Sequence, residues 1–227
     1  MTLAETLATI SPMGIKDEVA ALKRERTIEA AAQLFYERGY ENTTLEVVAE
    51  RLGVTKPFIY SHFRSKADLL ADICGRAVAA SLVAIDAVMA LDVSSTEKMK
   101  VLGREFFIAV LKNQRHIAIL TREEKSLSPE DFKRISLLRR EFDAKLVELL
   151  TAGSNTGEFQ LKDPSVTALA IGGLVSWAYV WYRPHGRLEL EALADEISVL
   201  ILAMIGARPP AAASSAKAAK NKTVQSA

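Results

Sequence analysis

Helix-start signals recur along this chain, and they constrain its fold more than any other feature. Four serine or threonine residues each precede an acidic residue by three positions, a pairing that satisfies the free amide hydrogens of a first helical turn. We find no alternating strand pattern and no Asn-Gly hairpin turn from about Lys16 to Gly206. The sequence therefore predicts an all-α fold. The pairs are Thr43 with Glu46, Ser65 with Asp68, Ser94 with Glu97, and Ser128 with Asp131.

Stop signals fall where these starts require them. Gly39 and Gly53 follow apolar-periodic segments, and Pro129 and Pro164 stand directly after capping residues, where a missing amide hydrogen costs nothing. We therefore expect nine helices, three in an N-terminal part and six in a larger part that follows. Their predicted ranges are 17–38, 44–51, 55–61, 66–91, 95–113, 115–124, 129–153, 164–183 and 189–206.

Composition favours a soluble cytoplasmic protein. The 227 residues are 49% hydrophobic and 25% charged, and the N-terminal residues lack the apolar run of a secretory signal. The single cysteine, Cys74, excludes an internal disulfide framework and a multi-thiolate metal site. We expect no cofactor and no bound metal.

One segment, 165–182, is long enough without charge to span a bilayer at the lower limit. It starts after Asp163-Pro164 and contains a Gly-Gly pair and two serines, which favours a helix buried in a bundle or at a subunit interface. We expect no association with a membrane.

Residues 44–61 have the layout of a helix-turn-helix. Two short predicted helices are joined by Leu52-Gly53-Val54, and Ala49 supplies a small side chain where they cross. Although the net charge is only +1, the segment from Arg51 to Lys66 contains four bases and no acid, so it can bind phosphates locally.

The segment TTLEVVAERLGVTKPFIYSHFRSKADLL closely resembles the signature of the TetR family of transcription regulators. The resemblance covers about residues 25–72 and includes Tyr60-Ser61-His62-Phe63, Ser65-Lys66 and the upstream LFYERGYENTT. It departs at Lys56-Pro57-Phe58, where many members have smaller residues, so the operator sequence is not implied.

The resemblance implies a DNA-binding repressor with roles for particular residues. Phe63 is expected in the core, and Phe58 either packs inward or meets a thymine methyl group. The implied phosphate contacts are Thr43 or Thr44, Tyr60, His62 and Lys66, and the implied base-reading residues are Thr55, Lys56, Pro57 and Phe58.

The resemblance also implies a homodimer that responds to a small molecule. The uncharged run 165–182 and the apolar stripe of 188–205 (Leu193, Ile197, Leu200, Ile201, Met204) would pair with their copies, with Gly172 and Gly173 allowing close approach. An acyl-CoA thioester is the leading effector class, with Arg134, Arg139, Arg140 and Arg183 available for its phosphates. The residues proposed for the pocket are Phe106, Phe107, Val110, His116, Phe142, Trp177, Trp181 and Arg183.

We therefore expect a flexible extension (1–15), a helix-turn-helix domain (16–65), a ligand-binding and dimerisation domain (66–206) and a disordered basic tail (207–227). The tail is either merely solvated or an accessory phosphate-binding arm.

Two other functions stay open. A nucleoid-type structural DNA-binding protein would not need residues 92–206, and an enzyme lacks support because three scattered histidines and one cysteine form no catalytic constellation.

Overall fold

The computed structural model describes residues 14–184 and 186–207, and every regular element in these ranges is a helix. The all-α prediction is confirmed for this part of the chain. The predicted extension and basic tail lie outside the described residues, except for positions 14, 15 and 207. The helices are α1 (Ile15–Arg38), α2 (Leu45–Leu52), α3 (Lys56–Tyr60), α4 (Lys66–Met89), α5 (Ser95–Lys112), α6 (Gln114–Glu123), α7 (Pro129–Asn155), α8 (Pro164–Ser176), α9 (Ala178–Trp181) and α10 (Leu190–Met204).

Side-chain caps form at the predicted helix starts. The hydroxyls of Ser65, Ser94 and Ser128 each accept a hydrogen bond, of 3.1, 3.2 and 3.1 Å respectively, from the amide three residues later. The helix start predicted at Thr43 is displaced by one residue, because the hydroxyl of Thr44, and not that of Thr43, accepts a hydrogen bond from the amide of Val47. Each predicted helix has a counterpart among the described elements, the eighth being divided into α8 and α9.

The described chain forms two compact units. Unit 1 contains residues 14–79 and 113–138, and unit 2 contains residues 80–112 and 139–207 apart from position 185. Helices α4 and α7 contribute residues to both units. The predicted boundary between residues 65 and 66 divides the DNA-binding domain from the ligand-binding and dimerisation domain. This boundary stays a prediction.

In unit 1, a tight turn joins α2 to α3. Gly53 has φ +65°, a left-handed conformation that glycine adopts without steric cost, and the amide of Val54 donates to the carbonyl of Ala49 at 3.0 Å. Ile59 on α3 and Phe63 just after it are almost fully buried in the same core as Val48 of α2. The turn and this core fix the orientation of α3 on α2, and Phe63 is the core residue that was predicted.

In unit 2, α5 packs closely against α10. A Cβ on Gly103 would lie 3.2 Å from the Cα of Ser198, so the absent side chain permits the close approach of the two helices. The hydroxyl of Ser198 donates to the carbonyl of Lys100 at 2.7 Å, so a hydrogen bond also joins the two helices at this contact. This contact fixes the position of α10.

The apolar segment Pro164–Trp181, which comprises α8 and α9, is long and apolar enough to cross a membrane, and it is the one such segment among the described residues. Only 22% of it is buried inside the chain. Burial within the chain's own bundle, one of the two predicted explanations, is therefore wrong for most of the segment. Burial against another subunit stays a prediction.

Candidate nucleic-acid interface and effector region

The exposed face of α3 carries most of the proposed base-reading residues. Thr55, Lys56 and Pro57 are exposed at its start, and Tyr60 is 48% exposed one turn later. On the opposite face Ile59 is fully buried, so the exposed side chains are held on a fixed support. A short helix with one buried face and one exposed polar face meets the geometric requirement for entry into a major groove.

Lys56 is held in place by two neighbours. Its ammonium forms an ion pair with the carboxylate of Glu46 on α2, and it lies 5.8 Å from the centre of the Tyr60 ring. The hydrogen bond from Lys56 lowers the pKa of Glu46 to about 2, and the same bond raises the pKa of Lys56. Sequence reasoning treated Glu46 only as a helix-capping acid and missed its contact with α3.

The two threonines proposed for a phosphate contact differ in accessibility. Thr43 is fully buried, and its hydroxyl lies 2.9 Å from the carbonyl of Gly39, to which it donates. Thr44 is exposed at the N-cap of α2. Thr44 therefore has the accessible hydroxyl of the pair, beside the free amides of a helix N-terminus.

Lys66 is partly engaged within unit 1. Its ammonium donates to the carbonyl of Tyr40 at 2.9 Å and lies 4.1 Å from the centre of the Tyr40 ring. Tyr40 precedes α2 in the loop that ends at Thr44. The side chain of Lys66 therefore supports the loop that leads to the start of α2.

Phe58 and His62 lie on the side of α3 that faces the start of α1. Their rings meet edge to face at 5.2 Å, and both side chains are half-buried. They line a groove of about 370 Å³ with Ile15 and Val19 of α1, and Lys23 lies 5.6 Å from the Phe58 ring. Phe58 thus packs partly inward, one of the two alternatives.

Most of the proposed effector residues lie in unit 2. Phe106 of α5 is buried against Phe142 of α7, with ring centres 4.5 Å apart, and Phe107 lies 6.2 Å from Trp181. Val110 is also buried. Three other members of the set, Trp177, Trp181 and Arg183, are exposed.

His116 belongs to unit 1, whereas the other proposed effector residues belong to unit 2. It is buried on α6, and its Nε2 is 3.6 Å from a carboxylate oxygen of Glu29 on α1. Burial lowers the pKa of His116, and the negative charge of Glu29 opposes this shift. His116 therefore contributes to the packing of α6 on α1.

A groove of about 450 Å³ lies between α4 and α5 in unit 2. Sequence reasoning missed it, although its signal is the small side chains that recur on one face of α4. Lys112 lies at the C-terminal end of α5, and Glu105 is engaged by Arg104 at 2.8 Å. The other lining residues are apolar: Ala80, Val83, Ala84, Ala87, Val88, Leu91, Val101, Ile108 and Ala109.

The last helices of unit 2 expose large apolar side chains. Leu169 is 69% exposed on α8, and nothing lies within 4 Å of a Cβ built on Gly172 or Gly173. The stripe predicted on α10 divides, because Ile197 and Ile201 are buried inside the chain. The exposed apolar residues of these helices are Val166, Leu169, Trp177, Val180, Trp181, Val199, Leu200 and Met204.

Comparison with known proteins identifies the family. Residues 28–73 match the family model described as bacterial regulatory proteins, tetR family, and residues 92–205 match the tetracyclin repressor-like C-terminal domain. The two matches together cover most of the chain. This protein belongs to the TetR family. TetR family members bind operator DNA and dimerise, and the family is not an enzyme family.

Three known proteins match this chain along most of their own length. The HTH-type transcriptional repressor KstR2 of Rhodococcus jostii strain RHA1 is 26% identical over 182 residues, which cover 79% of this chain and 89% of KstR2. The TetR family regulator PfmR from Thermus thermophilus aligns with a TM-score of 0.73 and 29% identity, over 78% of this chain and 97% of PfmR. AibR, solved in complex with isovaleryl coenzyme A and operator DNA, aligns with a TM-score of 0.70 and 25% identity, over 82% of this chain and all of AibR.

Proposed function

We propose that this protein is a cytoplasmic repressor that binds a palindromic operator as a homodimer and is released by a small hydrophobic effector. The exposed face of α3, with Thr55, Lys56 and Tyr60 supported by the buried Ile59, is the observation that carries the DNA-binding role. A single helix of this length makes few base contacts, so two copies on adjacent turns of DNA are required for useful specificity.

The proposed DNA contacts fall into two groups. Thr55, Lys56 and Pro57, with the edge of the Phe58 ring, read bases, and Thr44, Tyr60, His62 and Lys66 bind phosphates. Thr44 replaces Thr43 in this proposal because the hydroxyl of Thr43 is buried. Footprinting on DNA enriched by the purified protein tests the proposal. Protection of one short palindromic site supports it, whereas uniform protection of all fragments would favour a structural DNA-binding protein.

The exposed apolar residues of α8 and α10 support the homodimer, because contiguous apolar surface on a soluble protein marks an interaction site. Leu169 and Val83 make a matched test, since each is 69% exposed and only Leu169 lies on α8. We expect Leu169→Glu to produce monomers in analytical ultracentrifugation and Val83→Glu to remain dimeric. Dimerisation by both variants would remove α8 from the interface.

An acyl-CoA thioester is the effector class we propose. Support comes from AibR, which was solved with isovaleryl coenzyme A, and from the apolar lining of the groove between α4 and α5, whose volume is in the range of small-molecule sites. Lys112 lies beside this groove and supplies a positive charge for an anionic group. The effector releases the operator only if it binds the DNA-free state more tightly.

Calorimetry with acyl-CoAs, free acids and hydrophobic drugs tests the effector class, and an absence of heat with every CoA ester would refute it. Two variants locate the site. Ala84→Trp fills the groove, whereas Phe142→Ala removes one ring of the tilted aromatic pair with Phe106. Loss of binding in the first variant alone assigns the groove. Loss in the second alone assigns the pair of Phe106 and Phe142, and with it the other residues proposed for unit 2: Phe107, Val110, Trp177, Trp181 and Arg183.

A further inference from the structure

The ion pair between Glu46 and Lys56 brings a negative charge to the proposed DNA-reading surface. The two side chains are about equally exposed, and their contact joins the first turn of α2 to the first residue of α3. A carboxylate at this place is unfavourable for binding to a polyanion unless it has a partner in the DNA. Its position beside the base-reading Lys56 therefore needs a chemical explanation.

The two groups have fixed and opposite hydrogen-bonding roles. The carboxylate of Glu46 is ionised at neutral pH, since its pKa is held at about 2, so it only accepts hydrogen bonds. The ammonium of Lys56 only donates. A base pair that satisfies both must present acceptors next to an amino group in the major groove.

A G·C base pair fits this requirement best. Guanine presents two adjacent acceptors, O6 and N7, and cytosine presents the N4 amino group as a donor beside them. An A·T pair presents single acceptors on either side of the adenine amino group, so Lys56 would gain only one hydrogen bond. The Tyr60 ring, 5.8 Å from the ammonium, limits the positions open to Lys56 and favours a single register.

We infer that Glu46 and Lys56 act as one unit that reads a single G·C base pair in each half of the operator, Lys56 donating to guanine and Glu46 accepting from cytosine. This inference rests on the proposed operator binding. It makes Glu46 a specificity-determining residue, although its charge opposes binding to DNA in general.

Enrichment of a randomised DNA library by the full-length protein tests the inference. We expect the wild type to prefer G·C at one position of each half-site by about tenfold, the scale of one good bidentate base contact. Glu46→Gln and Lys56→Met should each lose the preference at that same position, and the double variant should lose no more than either single variant. Glu50→Gln removes an exposed charge from the same helix but leaves the ion pair between Glu46 and Lys56 intact, and it should retain the preference.

Glu46→Asp tests the length of the side chain separately from its charge, because it keeps the carboxylate but is one methylene shorter. Loss of the preference in Glu46→Asp, with thermal stability retained, supports direct contact with the base. The inference is overturned if Glu46→Gln keeps the preference, if it raises affinity equally for all sequences, or if the two single variants act at different positions. A wild type that enriches no sequence would instead overturn the proposed operator binding, and the inference with it.

Discussion

Replacement of Lys66 by methionine should lower both the stability of unit 1 and its affinity for DNA. The variant keeps most of the aliphatic stem but removes the hydrogen bond to the Tyr40 carbonyl at 2.9 Å and the interaction with the Tyr40 ring at 4.1 Å. A charged hydrogen bond contributes about 1.5 kcal/mol at the lower end of its range, and a partly exposed cation–π contact about 0.5 kcal/mol. The expected decrease in the free energy of unfolding is therefore about 2 kcal/mol.

Thermal unfolding followed by circular dichroism measures this decrease. For a chain of this size, about 2 kcal/mol corresponds to a fall in Tm of roughly 4–8 °C. Lys133→Met is the matched control, since Lys133 is exposed on α7, and its Tm should be unchanged. A Tm for Lys66→Met within 1 °C of the wild type would refute the stabilising role of the ammonium.

The same variant tests the proposed binding of Lys66 to a phosphate. At a temperature where the variant is fully folded, its affinity should fall by a similar factor for all DNA sequences, and the slope of log affinity against log salt should decrease by about one for each phosphate that Lys66 neutralises. An unchanged salt slope would mean that Lys66 supports the loop before α2 without binding phosphate.

Three further changes test other parts of the structure. Phe63→Ala should destabilise the protein by about 3–5 kcal/mol, because the ring is almost fully buried; a loss below about 1 kcal/mol in chemical denaturation would contradict its place in the core. Gly103→Ala should lower Tm despite its better helix propensity, because the new Cβ would lie 3.2 Å from the Cα of Ser198, whereas a raised Tm would contradict this close packing. His116 has a lowered pKa, so the unfolded chain binds its proton first as pH falls below about 6.5, and stability decreases there. His116→Gln should lose less Tm than the wild type between pH 7.5 and 5.5, and an equal loss would exclude His116 as the cause.

The helices were predictable because their boundaries are set by local chemistry. A hydroxyl that accepts from the amide three residues later needs no tertiary contact, so Ser65, Ser94 and Ser128 identify helix starts from sequence alone. The start of α2 was displaced because two threonines are adjacent and tertiary packing selects between them. Thr43 is buried and donates to the carbonyl of Gly39, which leaves Thr44 as the cap.

The proposed effector set was harder to predict, because chain proximity does not determine which way a helix faces. His116 is only a few residues beyond Val110, yet it lies on α6 against Glu29 of α1. The stripe on α10 was likewise divided, since Ile201 packs inward and Leu200 stays exposed. Apolar periodicity identifies a buried face, but it does not say whether the chain itself or another copy covers it.

Glu46 shows what sequence patterns miss at the proposed interface. Its acidic side chain three positions after Thr43 was interpreted as a capping acid, and it precedes Lys56 by ten positions. Only the turn at Gly53, which brings α3 against α2, makes the two side chains neighbours. Ion pairs between elements depend on such turns and are not visible in local spacing.

We infer that two copies of the α2–α3 helix pair bind adjacent turns of one DNA duplex. Footprinting combined with sedimentation of the purified protein, on a DNA site that it enriches, tests this arrangement. We predict one dimer per site and two protected half-sites whose centres are separated by about one or more helical turns of roughly 10 base pairs each. A protein that stays monomeric and binds every fragment equally at moderate salt would contradict it.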